Sequence, residues 1–306
     1  MTAARRAILC IFIGIIAGFF CQEILKATNS HGDFFVAMRM ARDLRESRDP
    51  YASPVWEDFI SYPLPAALVS LPMSFLPDPL SSGVFMGLSS ALLAWLILKH
   101  GKPWRLAMFL SWPFVYAIFF AQWTPLVTCL WFSPLLASVV LVKPQIAIPM
   151  FFTEKPDWRG LAVAVALGVL SLLIYPSWPW VFLKQTAGYK GILPPFFVLP
   201  LGPLMALALL RWRTRRAWLL LLMALMPQRV IYDQLPLLLV ASTWRQLLFL
   251  VLVSWSTVPA LLHFGGWNSM PGGWQTWILA TLYVPALFVV LLGQSADKRR
   301  EDGALK

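Results

Sequence analysis

The residue best suited to acid–base chemistry is a carboxylate directly beyond the first long apolar run. It is Asp33, in His31-Gly32-Asp33-Phe34-Phe35. Phe34 and Phe35 would hold it at a lipid interface, where partial desolvation makes a carboxylate a stronger base. A second reading is an N-cap, because Gly-Asp before an apolar-periodic run starts helices. The two readings are compatible. The surrounding loop, residues 31–79, holds Asp33, Asp43, Glu46, Asp49, Glu57, Asp58 and Asp78, which is 7 of the chain's 14 acidic residues. Such a concentration marks this loop as the polar end of an otherwise apolar molecule.

Other chemistry-bearing residues interrupt apolar runs. Arg229 and Asp233 sit between apolar segments, and Asp233 is the only acidic residue between Asp157 and Asp297. Ionisable groups at membrane depth are costly and point to function. Being four apart, the two could equally bridge one helical turn as a structural pair. Lys143 also breaks an apolar run and precedes Pro144. On the outer side it could neutralise a phosphate as a point charge; on the inner side it would mark topology. Gln122 ends an apolar run ahead of Trp123-Thr124-Pro125. The adjacent pair Glu57-Asp58 would point to different helix faces, so no metal pair is read there. Cys10, Cys21 and Cys129 lie in apolar runs without metal or disulfide spacing, and His31, His100 and His263 are far apart. No metal site and no cofactor are expected.

These residues must be positioned by membrane helices. Hydrophobic residues are 59% of 306 and charged residues only 13%, about half the usual charged fraction of a soluble chain. Mean hydropathy is +0.69. Spans are expected near 7–26, 80–98, 105–121, 160–176, 196–210, 246–263 and 274–293. The first reads as uncleaved, because no small-residue cleavage site ends it. The +11 charge tracks membrane sidedness rather than nucleic acid. Arg5 and Arg6, Lys99 to Arg105, Lys155 and Arg159, Arg211 to Arg216, and Lys298 to Arg300 mark the inner side. That pattern puts both termini inside and residues 28–79 outside, with 297–306 a cytoplasmic tail.

Three stretches resist simple spanning. Residues 60–77 carry four prolines and read as interfacial or re-entrant. Residues 217–243 read as two short helices with a hairpin at Pro227–Gln234. Residues 125–154 have two readings. Either 125–142 crosses and leaves Lys143 inside, or it dips in, turns at Pro134 and returns, leaving Lys143 outside. Arg39–Arg48 alternates charges and reads as an interfacial helix laced with i,i+3 and i,i+4 pairs. The expected architecture is all-α: a multi-pass bundle of about ten crossings, 1–306 forming one integral membrane domain.

Taken in order, several short motifs resemble glycosyltransferase family 87, membrane-embedded transferases of the GT-C type. They are Asp33-Phe34, Asp49-Pro50-Tyr51, Tyr62-Pro63-Leu64, Pro72 with Leu76-Pro77, Gln122-Trp123-Thr124-Pro125, Lys143-Pro144-Gln145 and Tyr232-Asp233. The resemblance covers most of residues 30–245. The chain is short for the family, and Ala121 stands where a glycine is typical. The resemblance implies an outward-facing site in which Asp33 is the catalytic base. It also implies inverting transfer of a hexose, usually mannose, from a polyprenyl phosphate to a lipid-linked or cell-envelope glycan acceptor. Donor and substrate would be bound by Arg39, Asp49, Tyr51, Tyr62, Gln122, Lys143, Arg229, Tyr232 and Asp233. Arg229, Lys143 and Arg39 are candidates for the leaving phosphate. Implied partners are membrane lipid, the lipid-linked sugar and the acceptor, in a bacterial plasma membrane. From other classes, a transporter or flippase of lipid-linked sugars, or an inactive binding relative, fits the same composition. Transporters often show internal repeats, and none is evident.

Overall fold

The computed structural model describes residues 2–52, 62–155, 157–187, 193–227, 230–266 and 269–293. Expectations for Glu57, Asp58, Arg229 and the tail 297–306 fall outside these residues. Every regular element among the described residues is helical. Four helical stretches are long and apolar enough to cross a membrane: Ala3–Thr28, Asp78–Lys99, Trp244–His263 and Trp274–Leu292. Trp158–Ile174 with Trp178–Thr186 would make a fifth if that pair, bent by 94°, is one span. These long apolar helices fit a membrane protein.

Backbone contacts divide the chain into two compact units. The first is residues 1–103 with 115–191; the second is 104–114 with 192–306.

The first unit is built on α1 (Ala3–Thr28) and α4 (Asp78–Lys99), which pack closely along their length. Small residues four apart, Gly14 with Gly18 and Gly83 with Gly87, let the two backbones touch. A Cβ on Gly18 would fall 2.6 Å from the Gly83 carbonyl oxygen, so this approach needs glycine. The opposite face of α1 exposes Ile8, Ile11, Phe12, Ile15 and Phe19, as a lipid-facing surface would. Its start is capped by Thr2, which accepts from the Arg5 N–H. Its end is a Schellman turn with Asn29 in the left-handed region, the Ser30 N–H returning to the Leu25 carbonyl.

Between them lie α2 (Phe34–Arg45) and α3 (Leu64–Ser70). The amphipathic α2 buries Phe34, Val36, Ala37, Met38, Met40 and Ala41. Its arginines do not form the expected ladder of local pairs. Of that kind only Arg39–Asp43 occurs among the described residues, at 4.0 Å. Arg42 instead donates to the Ser74 and Leu76 carbonyls and pairs with Asp78. Arg45 also reaches the Ser74 carbonyl, at 3.1 Å. The carbonyls freed by Pro72 and Pro77 in 71–77 leave acceptors that long guanidinium forks satisfy better than side chains along the helix.

Next come α5 (Trp112–Phe119), which straddles the boundary between the units, and α6 (Thr124–Thr128). They are followed by α7 (Val139–Val142), α8 (Pro144–Thr153), α9 (Trp158–Ile174) and α10 (Trp178–Ala187). Residues 105–121 are not one helix of membrane length, as expected, but a 3₁₀ segment at Pro103–Leu110 and then α5. Pro113 explains the break: it lacks an N–H and is tolerated only in a first turn.

The second unit contains a 3₁₀ segment at Gly202–Arg211, α11 (Arg215–Leu225) and a 3₁₀ segment at Ile231–Val240. It continues with α12 (Trp244–Ser254), α13 (Thr257–His263), α14 (Trp274–Ile278) and α15 (Val284–Leu292). In place of the expected span at 196–210 stands this short 3₁₀ segment, with Pro200 just before it and Pro203 in its first turn. Residues 217–243 form the two short helices expected. Arg216 donates to the Val240 carbonyl at 3.3 Å, joining the start of α11 to the end of its partner, so the pair runs antiparallel. Thr214 and Thr243 cap α11 and α12.

Candidate active site

The site is set by how α1 and α5 end. After Asn29 the chain turns through Gly32, whose φ is +67°, into Asp33. The first helix of the 112–119 region ends in the same kind of Schellman turn. There the Ala121 N–H meets the Ile118 carbonyl, and the Gln122 N–H the Ala117 carbonyl. Ala121 occupies the left-handed position of that turn, φ +46°. The backbone shape there is the one glycine favours.

The two turns lock together. The Asp33 backbone N–H donates to the Phe120 carbonyl at 2.7 Å. A Cβ on Gly32 would lie 2.9 Å from that same oxygen and 3.1 Å from the Ala121 Cβ. Gly32→Ala is therefore expected to cost about 1–2 kcal/mol from the left-handed backbone, and more from the clash with the Phe120 carbonyl oxygen. It should lower the thermal unfolding midpoint of the purified protein; an unchanged midpoint would show that this junction does not hold Asp33.

Asp33 is 5% exposed. It stands at the cap position of α2, yet its side chain makes no capping hydrogen bond. The carboxylate is thus not occupied as an N-cap.

Gln122 continues the line inward. Its Oε1 accepts from the Lys143 ammonium at 2.6 Å, and Lys143 is 1% exposed. The path between the two explains their meeting. Trp123 packs at a tilt against Phe85, in the first half of α4, with ring centroids 4.7 Å apart. The chain then runs through α6 to Phe132, whose ring lies 5.5 Å from His100, just past the end of α4. It turns at Pro134, which packs on Gly160, and returns through α7 to Lys143. Residues 125–142 thus run out and back.

Aromatic residues wall this centre. Phe34 stacks on Phe85 at 4.0 Å, and Trp123 lies 5.4 Å from Phe34 and 6.0 Å from Tyr62. The Lys143 ammonium is 6.0 Å from the Tyr62 ring centroid, within cation–π range. Tyr51 donates from its hydroxyl to the Tyr62 carbonyl at 3.1 Å. Burial, then neighbouring Tyr175 and Asp49, push the Tyr51 phenol above its usual range, so it stays a neutral donor. Asp49 accepts from the Tyr51 N–H at 2.9 Å and hydrogen-bonds Tyr175. Asp33, Tyr51, Tyr62, Gln122 and Lys143 therefore belong to one connected group, with Asp49 at its edge.

Arg39 is placed differently. Its charge faces Asp43, which also takes the Arg48 guanidinium at 2.7 Å. Tyr232 and Asp233 lie in the second unit and are both buried. Asp233 is within electrostatic reach of Tyr283, and the Tyr283 hydroxyl donates to Gln234 Oε1 at 2.8 Å. Sequence reasoning singled out neither Trp123 nor Tyr175 by itself. The signal was present for both: each is an aromatic close to a proline at a helix boundary, like Tyr62 before Pro63. Among the described residues, no group of three His, Cys, Asp or Glu is placed to hold a metal ion.

Compared with protein-family models, curated proteins and solved structures, the chain matches none. Fold and site together define an all-helical chain with several helices of membrane length and a buried polar centre inside its first unit.

Proposed function

We propose that this protein is a membrane glycosyltransferase that moves a hexose, mannose foremost, from a polyprenyl phosphate to a glycan or glycolipid acceptor. One observation carries the reading: the junction of the Asp33 and Phe120 turns, continued through Gln122 to Lys143. It links the segment bearing a buried carboxylate to a buried ammonium within one small region. A base and a cation in that relation suit displacement at an anomeric carbon.

In this mechanism the acceptor hydroxyl is hydrogen-bonded to Asp33. Asp33 takes its proton as the oxygen attacks the anomeric carbon. The new glycosidic bond forms as the bond from that carbon to the phosphate oxygen breaks, with inversion. Both electrons of the broken bond leave with the polyprenyl phosphate. Lys143 neutralises the charge that develops there. Tyr51 and Tyr62 shape the wall against which the donor lies.

The chain is read as crossing a bacterial plasma membrane about ten times, with both termini inside and the site facing out. The hairpin supports this orientation. Its tip lies near Lys99, Lys102 and Arg159, the basic side, and Lys143 lies at the other end.

The test is reconstitution into liposomes with polyprenyl-phosphate-mannose and a membrane lipid extract as acceptor. Release of polyprenyl phosphate in step with a new mannosylated product is expected. Movement of intact donor between leaflets without sugar release would replace this reading with a flippase.

A further inference from the structure

Gln122, which holds Lys143, and the two residues after it carry buried polar side-chain atoms without a hydrogen bond among the described residues. They are the Gln122 Nε2 amide, the Trp123 Nε1 indole and the Thr124 Oγ1 hydroxyl. All three residues are 0% exposed. Buried polar atoms are paired in the large majority of cases, so three orphans in a row point to an absent ligand.

Their chemistry narrows what that ligand is. The Gln122 oxygen is already taken by Lys143, which leaves its amide as a pure donor. An indole N–H and an ammonium only donate, and a threonine hydroxyl can. A single buried water accepts two hydrogen bonds and cannot satisfy these three donors. A sugar face would call for acceptors as well as donors. A ligand that only accepts and carries negative charge satisfies them all, and a phosphate is such a ligand.

We propose that Gln122, Trp123 and Thr124 form an oxyanion cradle that, with Lys143, binds the phosphate of a lipid phosphate. For the lipid as its source the inference rests on the transferase reading above. It adds to that reading the three neutral donors that orient the phosphate Lys143 neutralises. Trp123 serves twice, its ring packing on Phe85 while its N–H faces the phosphate.

The test uses the full-length protein in detergent, with binding of polyprenyl phosphate followed by native mass spectrometry. Phosphatidylglycerol and inorganic phosphate are the comparison arms. Trp123→Phe keeps the ring and removes the N–H; Thr124→Val keeps the shape and removes the hydroxyl. Each is expected to weaken polyprenyl phosphate binding about tenfold, the effect of losing one hydrogen bond to a charged group. Without ligand, each should leave the unfolding midpoint unchanged or raise it, because an orphaned polar atom has been deleted. A structural or water-filled role predicts the reverse: lower midpoints with binding intact. That result would overturn the cradle. Phosphatidylglycerol or inorganic phosphate binding as tightly as the polyprenyl phosphate would overturn the lipid phosphate as ligand. Should the unsubstituted protein bind polyprenyl phosphate but transfer no sugar, and both variants lose that binding, the cradle stands and the transferase reading falls. Transfer and binding both surviving in both variants would remove the cradle alone.

Discussion

Asp33→Asn is expected to abolish sugar transfer, by about 10²–10⁴-fold, while the protein still inserts and folds. Asparagine keeps the shape of the side chain but is neutral and cannot take a proton. The structure sharpens this expectation. The Asp33 carboxylate makes no capping bond to α2, and its backbone N–H donates to the Phe120 carbonyl. The substitution leaves that bond in place. The measurement is initial rate of mannose transfer against the unfolding midpoint of the same preparation. A rate that falls with an unchanged midpoint supports the base. Loss of folded protein would make Asp33 a structural residue, and full activity would remove it from the mechanism.

Lys143→Met should lower turnover about 10²–10³-fold, the scale of losing one charge-stabilising donor at a developing anion. Methionine retains the unbranched stem and deletes the ammonium. The variant has a known side effect. It leaves Gln122 Oε1 buried without its donor, which costs about 1–3 kcal/mol. Pairing it with Gln122→Leu removes both partners, and this change is nearly neutral for folding. The double variant is therefore expected to recover the unfolding midpoint and stay inactive. Activity returning with the midpoint would show that the Lys143–Gln122 pair only supports the fold.

Composition and periodicity determined the class of architecture. A chain with so few charges and recurring apolar runs can satisfy its backbone in lipid only by forming helices. The four helical stretches of membrane length fall where hydropathy alone places them, because length and apolarity are local properties. The break between α11 and the segment at Ile231–Val240 was legible too, whereas those at Pro113 and at Pro200 and Pro203 were not. Motif order was enough to nominate Asp33, Gln122 and Lys143.

Tertiary structure decided the rest. Whether 125–142 crosses or turns back depended on a contact between residues 21 apart, Lys143 and Gln122. Local charge cannot report that contact, since both paths end at Lys155. The arginines of α2 were misread for a related reason: i,i+4 spacing was visible, but the free carbonyls at Ser74 and Leu76 lie 29 to 34 residues away. The exclusion of Asp33 from capping and the left-handed turn at Ala121 are likewise three-dimensional facts. A sequence lists which donors and acceptors exist. Only the packed chain determines which of them meet, because burial makes each polar group seek a partner wherever the fold supplies one.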